Sequence, residues 1–145
     1  MPTIERFEDL QAWKHARALV RRTYQVTRGG SFSQDFGFRD QLRRSSLSVM
    51  ANIAEGFESR AVALFLESLG RARGSAGEVR AQLYAALDAG LLNAIEFDEL
   101  SEMAAETSKR ISGLMRYLDA NGSAYRTRQR IDPPSTGRDA PGASQ

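Results

Sequence analysis

The stretch "DQLRRSSLSVMANIAEGF", Asp40–Phe57, decides how the chain is read. Leu42, Val49 and Ile53 recur at i, i+7 and i+11, the repeat of one face of an α-helix. Leu47, Met50, Ala54 and Phe57 form a second apolar face, turned by about 100° on the 3.6-residue wheel. On the other side runs a polar line in steps of three and four: Gln41, Arg44/Ser45, Ser48, Asn52 and Glu55. A helix in a bundle needs one apolar stripe for its own core. The surplus stripe predicts contact with something outside the bundle, most simply another copy of the chain. The polar line would border that contact, supply hydrogen bonds that fix its register, or form a plain solvated edge.

Three more segments have helical periodicity, and period-two alternation is not convincing anywhere. The first helix is expected over about Glu8–Arg28, with Leu10, Trp13, Val20 and Tyr24 on one side and Gly29-Gly30 as its stop. The loop "GGSFSQDFG" leads to the second helix, about Phe38–Glu55, which Gly56 would end. The third is expected over about Arg60–Ala89. Its apolar residues from Val62 to Ala86 alternate steps of three and four, the seam of coiled-coil-like packing. Gly70, Gly74 and Gly77 interrupt it. Each costs about 1 kcal/mol against alanine in a helix interior, so close backbone approach is expected there. Asn93 and Glu96 have capping-box spacing, and the fourth helix follows, about Ala94–Ala120. Asn121-Gly122 would end it. The rest is rich in Pro, Gly, Ser and Arg and too poor in aliphatics to offset its ordering entropy, so a disordered tail is expected over 122–145. The fold class is therefore all-α: an antiparallel up-down-up-down four-helix bundle over residues 1–121.

Composition narrows the setting. The 145 residues suit one domain, and 41% hydrophobic content suits an ordinary core. With no cysteine, disulfides and thiolate chemistry are excluded. No segment approaches the roughly 18 consecutive apolar residues of a membrane span, and "MPTIERFEDL" carries no apolar signal-peptide stretch, so a soluble cytoplasmic protein is expected. The net charge of +2 is unevenly spread. Residues 1–50 hold nine Lys/Arg against five Asp/Glu, whereas residues 91–120 hold three against six. Such asymmetry marks either a nucleic-acid face or two surfaces that complement each other, within a bundle or between subunits.

A search for catalytic chemistry returns little. His15 is the sole histidine and has no Cys or carboxylate companions at ligand or triad spacing. "GRARGSAG" lacks the GK[ST] ending of a phosphate loop and falls mid-helix, where its amides are already bonded. Glu55 and Glu58 read as helix-end solvent or cap chemistry. No enzyme, cofactor or metal is therefore expected. The strongest candidate site is basic: Arg21, Arg22 and Arg28 near the end of the first helix, and Arg39, Arg43 and Arg44 near the start of the second. Antiparallel helices would bring Arg21/Arg22 and Arg43/Arg44 to a similar height. Repeated around an oligomer, such a patch would give polyvalent contacts to RNA or DNA phosphates, which tail residues Arg126, Arg128 and Arg130 would extend. Few aromatics interleave these arginines, so base stacking is not indicated.

Three pieces in this order, "FEDLQAWKHARALV", "QLRRSSLSVMANIAEGF" and "FLESLGRARGSAGEVRAQLYAALDAGLL", resemble the proteins encoded in 23S ribosomal-RNA intervening sequences. The likeness covers about Phe7–Leu118, with "QLRR…ANIAEGF" and "ARGS" its most specific parts. It implies an antiparallel four-helix bundle assembled as a homo-oligomeric ring, a pentamer. Met50 stands where the family commonly has a proline, so a kink in the second helix is not expected. A related branch resembles the accessory proteins of diversity-generating retroelements, basic rings that bind a reverse transcriptase and nucleic acid. Two roles follow as expectations. One is a ring that binds RNA or DNA phosphates; the other is a structural adaptor that docks a protein such as a reverse transcriptase.

Overall fold

The computed structural model describes residues 4–129, and four long helices carry the chain: α1 (Gln11–Thr27), α2 (Phe36–Glu58), α3 (Val62–Asp88) and α4 (Ala94–Gln129). Short 3-10 turns at Phe7–Asp9 and Gly30–Ser33 precede α1 and α2. Each helix packs on its neighbours in sequence, α4 closes on α1, and neither diagonal pair brings its backbones close together among the described residues. This is the contact pattern of an up-down-up-down four-helix bundle. None of the described helices is long and apolar enough to cross a membrane.

The core has two parts. Around Trp13, Ile53, Phe65, Leu69, Ile111 and Leu118 the side chains fill the end where the chain begins. Leu19, Phe32, Leu42, Leu83 and Leu100 fill the end holding the α1–α2 and α3–α4 connections. In sequence, fully buried Ser46 and Thr107 fall between the two parts. Their hydroxyls cost little there, because each donates to a carbonyl of its own helix: Ser46 to Arg43 at 2.8 Å, Thr107 to Met103 at 2.8 Å.

Three residues of the polar line of α2, Gln41, Ser48 and Asn52, prove to be rungs of a ladder to α3. The Ser48 and Ser75 hydroxyls lie 2.8 Å apart, and Asn52 Nδ2 donates to Ser48 Oγ at 3.1 Å. Arg71 of α3 donates to Asn52 Oδ1 at 3.2 Å and to Ser68 Oγ at 2.9 Å, and Gln41 reaches Glu78 at 3.5 Å. These bonds fix the register of α2 against α3 within the chain. At the foot of the ladder stands Gly56. It lies inside α2 and is not its stop: a Cβ there would sit 2.7 Å from Ser68 Cβ and 2.9 Å from the Phe65 ring. Here glycine is required by the close approach of α2 and α3. The chain instead leaves α2 through Ser59 and Arg60, whose φ of +55° makes the turn.

Other expectations need correction. Among the described residues no contact accounts for Gly70, Gly74 and Gly77, since an added Cβ at each would meet nothing within 4 Å. The fourth helix does not end at Asn121. That residue breaks the helical angles (φ −122°, ψ 18°) and its side chain donates to Tyr117 O at 3.0 Å, but the helix resumes to Gln129. Helix thus takes over the first residues of the expected tail, and positions 130–145 lie outside the described residues. The capping box before α4 is present, with Glu96 N donating to Asn93 Oδ1 at 2.8 Å and Asn93 N to Glu96 Oε1 at 3.2 Å. Without a proline at position 50, α2 runs unbroken.

Two glycine substitutions separate these environments. Gly56→Ala is expected to lower stability in urea denaturation by about 1–3 kcal/mol through overpacking. Gly74→Ala is expected to raise it by up to about 1 kcal/mol through helix propensity.

Candidate nucleic-acid interface

The outer seam between α1 and α2 is built from the connection at its top. Gly30 takes a positive φ of +62°, which lets the chain turn back and bury Phe32. Phe32 meets Phe38 at 6.1 Å between ring centroids, so Phe38 faces inward. Asp35 caps α2 by accepting from Phe38 N at 3.1 Å. Phe36 and Phe38 are two positions apart, about 200° around the helix. With Phe38 turned in, Phe36 turns out and is 60% exposed.

The six candidate arginines divide into two sets of three. Arg22 leaves the seam: it makes a two-pronged pair with Glu99 of α4, at 2.6 Å from Nε and 3.3 Å from an Nη. Arg39 pairs with Asp40 at 3.1 Å and lies over the Phe36 ring, 4.8 Å from its centroid. Arg43 crosses from α2 to α1. Its guanidinium stacks on Tyr24 at 4.4 Å and its Nε donates to Thr27 Oγ1 at 2.8 Å. That crossing places the end of α1 level with the start of α2, as antiparallel spacing requires. Arg21, Arg28 and Arg44 are exposed, and none has an ion-pair, hydrogen-bond or aromatic partner among the described residues. Of the tail arginines, positions 126 and 128 lie on α4 beyond the break at Asn121, and position 130 lies outside the described residues.

The second stripe of α2 is partly covered by its own chain. Met50, Ala54 and Phe57 are half-buried against the first core cluster, which Ile4 and Phe7 of the N-terminal segment also join. Leu47, in mid-helix, is 41% exposed.

Sequence reasoning missed the aromatic half of the seam. Phe36 and Arg39 are spaced i, i+3 on one helix, a legible signal. The Tyr24–Arg43 stack joins two helices and has no local signature. His15 is half-buried, and among the described residues no group of three or more His, Cys, Asp or Glu is placed to hold a metal. A groove of about 550 Å³ runs between the N-terminal segment and α4, with Leu10, Leu114 and Tyr117 among its lining residues. It contains none of the candidate arginines.

The family model described as "23S rRNA-intervening sequence protein" matches residues 8–113. The chain belongs to this family. A solved structure with the same fold comes from Bacteroides thetaiotaomicron and is described as a protein of unknown function from the S23 ribosomal protein family. It is 19% identical, with a TM-score of 0.62, and the match covers 72% of this chain and 91% of that one. A search of curated proteins found no match. For this family member, the seam geometry separates arginines that hold the bundle from arginines that only face water. Arg43→Ala is expected to cost about 1–2 kcal/mol in thermal or urea unfolding, through a lost stack and hydrogen bond. Arg44→Ala should stay within about 0.5 kcal/mol of the parent.

Proposed function

We propose that this protein is a non-enzymatic, self-assembling four-helix bundle that holds RNA or DNA by its phosphates. The trio Arg21, Arg28 and Arg44 carries the reading: three exposed guanidiniums near one end of the α1–α2 pair, unpartnered among the described residues. Arginines that serve the fold are engaged, as Arg22, Arg43 and Arg71 are. Guanidinium is permanently charged and matches phosphate with two parallel hydrogen bonds. Each phosphate it neutralises releases counterions, so the binding is sequence-tolerant and salt-sensitive.

Self-assembly raises a weak patch to useful affinity by repeating it. Exposed Leu47, continuous in periodicity with Met50, Ala54 and Phe57, supports α2 as the contact between copies. The ring, a pentamer by family resemblance, belongs to the same proposal.

The reversal Arg21→Glu/Arg28→Glu/Arg44→Glu is expected to lower affinity for a short RNA at least about tenfold. The parent's slope of log affinity against log salt should be about −2 for three contacts on a single strand. Binding that survives the reversal would refute the site. Failure of the parent to bind RNA or DNA at low salt would leave protein docking, for example to a reverse transcriptase, as the better reading. Assembly is checked by light scattering. Leu47→Asp should give a smaller species with its helical circular dichroism intact; an unchanged mass places the contact elsewhere.

A further inference from the structure

We infer that the α1–α2 seam is a stacking platform for unpaired bases, so that the ligand is single-stranded nucleic acid. This rests on the phosphate-binding reading above and names the ligand class of that site.

The first observation is Phe36. A large aromatic ring 60% in water contributes little to the core, which Phe32 and Phe38 already fill on either side of it in sequence. The second is the pair of arginine–aromatic stacks on the same seam. Arg39 lies 4.8 Å from the Phe36 centroid, and Arg43 lies 4.4 Å from that of Tyr24. Phe36 and Arg43 are seven residues apart, hence on one face of α2 and about 10 Å apart along it.

Unpaired bases stack on aromatic rings and on guanidinium planes alike. The two guanidiniums are already oriented, Arg39 by Asp40 at 3.1 Å and Arg43 by Thr27 at 2.8 Å. A base that stacks on them therefore pays little side-chain entropy. Unpartnered Arg21 and Arg28 near the end of α1 and Arg44 on the outer face of α2 supply the charge that complements a phosphate chain passing over this end of the α1–α2 pair. A duplex keeps its base faces inside its own stack. It could use those three arginines but not Phe36. The stacked rings and planes read no base edge, so the preference is for strandedness and not for sequence.

The test compares a labelled oligothymidine with a hairpin duplex of equal charge, by fluorescence anisotropy on the full chain. Phe36→Ala is expected to weaken single-strand binding by about 5- to 150-fold, the worth of one stacked base. Duplex binding, the salt slope and the native mass should not change, and Phe36→Tyr should restore the single-strand affinity. Equal single-strand binding by Phe36→Ala and the parent would overturn the inference. So would equal loss for single strand and duplex, or a changed native mass, which would assign Phe36 to a contact between copies. The underlying phosphate reading fails separately, through the triple arginine reversal that leaves both ligands bound. A parent that binds neither ligand removes both.

Discussion

The rotation of α2 about its own axis governs this structure, and the α2–α3 seam sets it. Apolar burial is non-directional and would tolerate a range of rotations. Hydrogen bonds are directional, and the ladder of Ser48, Ser75, Asn52 and Arg71 accepts only one. Gly56 closes the choice by letting the α3 backbone come within reach, with Phe65 Cα 3.3 Å from where a Cβ would stand. Given that rotation, Leu42, Val49 and Ile53 turn to the core. Arg43 turns to α1, where Tyr24 and Thr27 receive it. Phe36, Arg44 and Leu47 are left in water.

The same rotation explains how one residue type serves two purposes. The basic front half and acidic fourth helix meet inside the bundle through the Arg22–Glu99 pair. Both partners are partly solvated, so this pair adds little stability and mainly orients α1 against α4. Arg43 adds a stack and a hydrogen bond between α1 and α2. Once these needs are met, Arg21, Arg28 and Arg44 remain outside them. A surface that interacts with phosphate must be drawn from such a remainder, because a guanidinium committed to a protein carboxylate has no free fork to offer.

Much of the fold was legible in the residues. The three-and-four spacing of Val62 to Ala86, the Asn93/Glu96 capping box and the Gly29-Gly30 stop are local signals, and local signals survive folding. Gly56 misled because a glycine after an apolar run reads as a stop, whereas its role is to admit a neighbouring helix. Asn121 misled in the opposite direction: it bends α4 without ending it. The candidate site was legible only as composition. Six arginines could be placed at one end of two helices, but not sorted into engaged and free.

By itself the sequence determined that four helices form, which residues line their core and roughly where each begins, since periodicity and caps act within a few residues. Tertiary structure decided which flank of each helix meets which neighbour. It thereby decided that Gln41, Ser48 and Asn52 of α2 bond to α3, that Arg22 is spent on Glu99, and that Phe36 stands in water. These are pairings between residues as much as 77 positions apart, and no spacing along the chain encodes them.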